Sequence, residues 1–240
     1  MRLNHFIASS GVSSRRRADE LIMLHKVKVN GKLVTEYGVK IKPYEDQVTV
    51  EGKIVSLKER FLYLLLNKPK DVITTVKDEK DRKTVMSLLT TTDRVYPIGR
   101  LDRQTTGVLL FTNDGELTAR LTHPKYQVPR IYHVVLDKPL KRADAESIAK
   151  GGVNIGRGDV TAAVELDLST RDGKDVIITL REGKYHEVRR LFEVFGYTVE
   201  KLDRLAFAGI THQGMKRGET RPLVQKEIKA LKRVVGLVAY

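Results

Sequence analysis

From residue 61 onward the chain alternates short β-rich runs with helical patterns and never settles into a regular βαβ repeat. "RIYHVVLD" and "KDVIITLRE" read as strands, while "DGELTARLTH", "ADAESIAKG" and "HEVRRLFEVFG" carry apolar residues at helical spacing. A purely parallel sheet needs a long crossover between neighbouring strands. An irregular mixture therefore predicts an α+β fold with a mainly antiparallel mixed sheet. "FLYLLL", Phe61 to Leu66, falls far short of membrane-spanning length and is expected to be a buried strand. No later run spans a bilayer, and the N-terminus lacks the apolar stretch of a signal sequence, so a soluble, cytoplasmic protein is expected.

The first sixty residues are patterned differently. "LNHFIASSG" places Leu3, Phe6 and Ile7 at helical spacing and closes on Gly11. Ser13 or Ser14 is placed to cap a second helix, "SRRRADELIMLHK", with Ala18, Leu21 and Ile22 as its apolar stripe. "KVKVNG" and "DQVTVEGKIV" then alternate like strands and turn at Asn30-Gly31 and Glu51-Gly52. The polar "SLKER", Ser56 to Arg60, separates this helix–helix–β module from the rest. The boundary is set between a domain over 1–58 and a larger one over 59–240.

Charge narrows the class of partner. Lys and Arg number 44 against 30 Asp and Glu, a net +14 that favours polyanions. Arg15, Arg16 and Arg17 open the second predicted helix, where free amides and the helix dipole already favour phosphate, and Lys26, Lys28 and Lys32 follow on the adjoining segment. Such contacts anchor RNA and read little of its sequence. The chain has no cysteine, which excludes disulfides, thiolate metal sites and a cysteine nucleophile, and suits a reducing compartment.

The richest stretch runs from Tyr96 to Leu121. Gly99 and Gly107 bracket a polar loop, Arg100-Leu101-Asp102-Arg103-Gln104-Thr105-Thr106, and the strand "VLLFT" follows. Asp102 between two arginines is expected to stay ionised, which suits a nucleophile or a base. A structural ion pair fits the same residues equally well.

Longer strings separate these alternatives. "RLNHFIASSGVSSRRRADELIMLHKVKVNGK" resembles the small RNA-binding domain named after ribosomal protein S-four. "GRLDRQTTGVLLFTNDGEL" resembles the signature of the RsuA/RluB-type pseudouridine synthases, whose aspartate is catalytic and matches Asp102. "LLNKPKDVITTVKDEKDRKTV" is similar to the family's N-K-P-x-G strand and loop, with Asp71 where glycine is common. "HPKYQVPRIYHVVL" resembles the segment whose tyrosine packs on the target base; this implies Tyr132, with Arg130 in place of the usual lysine. "REGKYHEVRRLFEVFG" resembles a further segment, with Glu187 where glutamine is frequent, and implies Arg189 as the salt-bridge partner of Asp102. Leu205, in "KLDRLAFAGI", falls where the family sets an apolar residue against the site floor.

The resemblance implies conversion of a uridine in ribosomal RNA, free or in a ribosome assembly intermediate, to pseudouridine. The "HPKYQVPRIY" and "VRRLFE" forms lean toward the large-subunit enzymes. No atom enters or leaves in that isomerisation, so no cofactor or metal is expected, and no dinucleotide fingerprint, Walker-type loop or histidine pair at metal-ligand spacing is present. Asp102 would initiate glycosidic cleavage by attack or by taking a ribose proton, Arg189 would align it, and Tyr132 would stack on the uracil. Arg100, Arg103, Arg130 and Arg190, with the N-terminal arginines, would hold RNA. The protein is expected to be a monomer. Two alternatives are a non-catalytic RNA-binding or ribosome-assembly protein, and a metal-dependent nuclease, although Asp78, Glu79 and Asp81 lie in a lysine-rich loop and read as surface charge. His123, His133, His186 and His212 are read as packing or surface residues, and "EIKALKRVVGLVAY" as an amphipathic C-terminal helix with an apolar tail.

Overall fold

A turn with positive φ at both central residues matches the right-handed twist of a β-hairpin, and the N-terminal unit uses two of them. Asn30-Gly31 (φ 50° and 78°) joins β1 (Val27–Val29) to β2 (Lys32–Leu33), and Glu51-Gly52 (φ 49° and 80°) joins β3 (Val48–Val50) to β4 (Lys53–Val55). The sheet order is β2-β1-β3-β4, antiparallel throughout. Preceding it are α1 (Leu3–Ser9) and α2 (Arg15–Met23), whose N-cap is Ser14: its hydroxyl accepts from the Arg17 amide at 3.1 Å. Leu3, Phe6, Ile7, Ala18, Leu21 and Ile22 close over Val27, Val48 and Val50 to form this unit's core.

The computed structural model describes residues 1–58, 60–168 and 173–237. Its compact units are Met1–Leu62 with Thr91–Val95 and Asn113–Gly115, and Tyr63–Thr90 with Tyr96–Thr112 and Glu116–Tyr240. Residue 59, at the expected boundary, lies outside the described residues. So do the last three residues of the expected C-terminal helix, which is formed over Gln225–Val234 and buries Leu231. No described helix is long and apolar enough to cross a membrane.

The larger unit is built on one mixed sheet. Its members are β5 (Tyr63–Lys68), β6 (Tyr96–Pro97), β7 (Thr106–Thr112), β8 (Arg130–Leu136), β9 (Glu165–Leu168), β10 (Asp175–Leu180), β11 (Val199–Phe207), β12 (Ile210–Thr211) and β13 (Thr220–Pro222). The order is β13-β5-β7-β11-β8-β10-β9, with β6 on β7 and β12 on β11. Every described pairing is antiparallel except β7 with β11. The apolar run expected from Phe61 becomes a strand only at Tyr63 and continues to Lys68; Phe61 is 49% exposed. The helices are α3 (Gly115–Thr122), α4 (Arg142–Lys150), α5 (Glu187–Val194) and α6 (Gln225–Val234). Leu65, Val108, Leu110, Phe207 and Ile210 meet Leu117 and Leu121 of α3 and Leu231 of α6 in one core.

The parallel pairing of β7 with β11 brings two backbones unusually close. Gly107 (φ 102°) lies opposite Arg204, and a Cβ there would sit 2.3 Å from the Arg204 carbonyl oxygen and 2.8 Å from its nitrogen. Neither the conformation nor the space admits a side chain. Gly107→Ala is therefore expected to lower the unfolding free energy in urea by about 2 kcal/mol or more. A change within experimental error would show that β7 and β11 do not approach in this way.

Candidate active site

Lys68, the last residue of β5, is fully buried, and its ammonium is held by main-chain oxygens. Nζ donates to the carbonyls of Thr105 at 2.8 Å, Asp102 at 3.0 Å, Pro69 at 3.2 Å and Arg103 at 3.3 Å. Burial pushes its pKa down to about 8, against the pull of Asp102 and Asp71 and with a small further push from Arg204. The Thr74 hydroxyl donates to the Leu101 carbonyl at 2.6 Å. The loop expected around Asp102 is thus fixed from below at each of its turns. Asp71 takes the left-handed conformation (φ 64°) that glycine adopts freely, and its carboxylate holds Arg103 at 3.2 Å and Gln104 at 2.9 Å.

The loop presents Asp102 to a cavity of about 400 Å³, lined also by Arg100, Arg130, Tyr132, Glu187, Arg189 and Arg204. Four of these expected site residues, with Asp102, therefore share one cavity: Arg100, Arg130, Tyr132 and Arg189. The expected pairing of Asp102 with Arg189 is not formed. Arg189 donates to the Val199 carbonyl at 2.8 Å, and the partner of the carboxylate is His186, with Nε2 3.3 Å from Oδ1. His186, read from sequence as a packing or surface residue, caps α5 in a left-handed conformation (φ 49°) that turns its ring toward the cavity. The ring stacks on Tyr185 at 4.0 Å, and Arg157 lies over Tyr185 at 4.4 Å. Nor do the flanking arginines pair with Asp102: Arg103 goes to Asp71, and Arg100 stays exposed on the cavity wall.

One further expectation is corrected. Leu205 does not line the cavity. Between Arg204 and Ala206, β11 advances two residues while β8 advances one, from Tyr132 to Ile131, so Leu205 is the extra residue of a bulge. The bulge puts Arg204 opposite Tyr132 and Phe207 opposite Arg130, and those side chains line the cavity instead. Arg190 ties a turn to α5, bonding to Ile155 and Tyr185 carbonyls and the Asp159 carboxylate at 2.8 Å and to the Gly156 carbonyl. Those bonds use four of its five N–H donors.

The N-terminal cations Arg15, Arg16, Arg17, Lys26, Lys28 and Lys32 are all exposed, with Arg17 also bonded to Glu20 at 2.6 Å. Asp78, of the acidic set weighed for a metal, takes the Arg82 guanidinium at 2.6 and 3.1 Å.

Glu187 is a carboxyl buried in the cavity wall. Burial pushes its pKa from 4.5 up to about 7, the Lys184 amide opposing and the adjacent Glu182 adding to the shift. Between those values the folded chain holds a proton that the unfolded chain has released. This contribution to stability is complete below about 4.5 and is lost as pH rises through about 7. Glu187→Gln cannot ionise, so its stability relative to wild type in urea is expected to grow by on the order of 2 kcal/mol between pH 4.5 and 8. A difference that does not vary with pH would remove the buried carboxyl.

Comparison with known proteins places this geometry. Residues 62–194 match the family model described as RNA pseudouridylate synthase, and residues 1–47 match the S4 domain. The chain is 41% identical over 236 residues to ribosomal large subunit pseudouridine synthase B of Bacillus subtilis, covering 96% of this chain and 95% of that one. It is 37% identical to an uncharacterized RNA pseudouridine synthase of Aquifex aeolicus, covering 99% and 96%. A crystal structure of a pseudouridylate synthase superposes with a TM-score of 0.70 at 31% identity, covering 96% of this chain and 99% of that one.

Proposed function

Because this chain belongs to the RNA pseudouridylate synthase family, we propose that it converts a uridine of ribosomal RNA, in the large subunit, to pseudouridine, with Asp102 as the catalytic carboxylate. One observation carries the assignment of Asp102. Its carboxylate opens onto a cavity of about 400 Å³ lined by Arg100, Arg130, Lys184, Arg189 and Arg204, with Tyr132 beside them and Glu182 and Glu187 as its other carboxyls.

A uridine cannot react while stacked, so it is flipped out, at a cost of about a few kcal/mol offset by phosphate contacts elsewhere. Tyr132 stacks on the extruded uracil. Asp102 then starts glycosidic cleavage, by attack on ribose or by removing a ribose proton. The loop that Lys68 and Thr74 pin holds the carboxylate where it must act, with no reorganisation needed at the moment of reaction. His186 pairs with the carboxylate in the RNA-free protein, and Arg100, Arg130 and Arg189 supply positive field for the backbone of the flipped nucleotide. No cofactor takes part. The N-terminal unit adds sequence-independent affinity through Arg15, Arg16 and Arg17 at the start of α2, and the enzyme works as a monomer.

Asp102→Asn is expected to fold and to bind RNA, while tritium release from C5-labelled uridine in rRNA falls by roughly a thousandfold or more. Turnover near wild type would remove Asp102 from the mechanism and leave a binding protein. Replacing Arg15, Arg16 and Arg17 together by Gln is expected to flatten the slope of log affinity against log salt by roughly two to three. An unchanged slope would take those arginines out of the RNA contact.

A further inference from the structure

Three cations at or behind the cavity form no salt bridge among the described residues, although Asp102 and Asp71 act on Lys68, and Glu187 and Glu182 on Arg130, at longer range. Lys68 donates to main-chain carbonyls, Arg130 to the Val128 carbonyl at 3.1 Å, and Arg204 through Nε to the Val108 carbonyl at 2.7 Å. Arg204 is the extreme case. It is 2% exposed, its guanidinium lies 5.0 Å from the Phe207 ring, and its Nη2 is buried without an acceptor among the described residues. The neighbouring acid is not its counterion: the Asp203 carboxylate is engaged by Thr106 at 2.5 Å, Arg217 at 2.8 Å and His212 at 3.3 Å. Glu187 is the buried carboxyl of the cavity wall, and burial favours its neutral form. A buried charge with an idle donor is costly to maintain, and a structural role would have supplied it with an acceptor.

A cation without a resting counterion suits an anion that exists only during reaction. On the reading that this is a pseudouridine synthase acting at the Asp102 cavity, such an anion forms. When C1′–N1 breaks, its electron pair goes to N1 and spreads onto the uracil carbonyl oxygens, while Asp102 either bonds to C1′ or removes a ribose proton. After the base turns, a pair on C5 makes the new bond to C1′ and displaces Asp102 or is matched by return of the proton. C5 then loses a proton and N1 gains one, so nothing is added or lost overall. We propose that Arg204 is a catalytic residue whose Nη2 receives the negative charge on a carbonyl oxygen of the departing uracil. Arg130, 5.4 Å from the same Phe207 ring, supports it from the neighbouring strand.

The test compares leaving groups. Fluorine at C5 withdraws electrons and makes uracil a better leaving group, so a residue that stabilises the departing base matters less for it. Arg204→Lys and Arg204→Gln are assayed in single turnover on an rRNA fragment with uridine or 5-fluorouridine at the target, following loss of the starting nucleoside in nuclease digests. Arg204→Lys keeps the charge and guards against loss of the fold, which circular dichroism and RNA affinity check. With uridine the rate constant is expected to fall by about a hundredfold or more at unchanged RNA affinity. With 5-fluorouridine that loss is expected to shrink by roughly tenfold. Equal losses on both substrates, or weakened RNA affinity with an unchanged rate constant, would overturn the proposal; the second would make Arg204 a ground-state phosphate grip. Asp102→Asn runs alongside. Turnover retained there refutes the underlying reading, whereas its loss together with equal Arg204 losses refutes the Arg204 role alone.

Discussion

The ammonium of Lys68 sits where a protein least tolerates a charge, and the shape of the active loop follows from how that charge is accommodated. No carboxylate bonds to it; four main-chain carbonyls converge on it instead, three of them from the loop segment Asp102 to Thr105. A carbonyl that turned away would lose its own partner and take one of four acceptors from an ammonium buried away from water. The loop is therefore held to one conformation by the strand end beneath it, and the direction of Asp102 is inherited from the sheet. The same logic explains why a loop with a left-handed neighbour at Asp71 can be rigid: Asp71 clamps Arg103 and Gln104 from the side while Lys68 clamps the backbone from below.

The sheet itself supplies the second half of the cavity. Gly107 lets β7 and β11 run together at a spacing no side chain would permit, and the bulge at Leu205 then offsets β11 against β8. Those two irregularities decide which residues look at Asp102. With regular pairing, Arg204 and Phe207 would fall on opposite faces; with one residue extruded they share a face with Tyr132 and Arg130. Residues of the candidate site from β8, β11, the loop before β7 and the start of α5 line one cavity from positions up to 105 residues apart, Asp102 to Phe207.

Electrostatically the site is weighted toward cations. Arg100, Arg130, Lys184, Arg189 and Arg204 line the cavity with Asp102; of the two other carboxyls in its wall, Glu182 is engaged by Lys184 and Glu187 is held toward its neutral form by burial. A family enzyme whose substrate is a polyanion, and whose leaving group is briefly an anion, has use for that surplus twice: in binding and in the reaction. His186, paired with Asp102 in the free protein, is the neighbour whose contact RNA would have to accept or displace.

The sequence by itself determined the elements and most of the membership of the site. Helical spacing, Asn-Gly and Glu-Gly turns and Ser14 before Arg15 are local signals, read through contacts a few residues apart, and the string around Asp102 carried its own identity. Arg100, Arg130, Tyr132 and Arg189 were legible through resemblance, and the cavity collects them. What only the tertiary structure decided was who touches whom. Arg189 bonds to Val199 and Arg190 to the turn at 155–159, because a long guanidinium takes the nearest unpaired carbonyl, which the fold alone positions. Lys68 ends an apolar run and gave no sign of burial; the Leu205 bulge has no local signature. Strand register, buried charge and side-chain partnership are set by distant segments closing on one another, and no window of sequence contains both sides of such a contact.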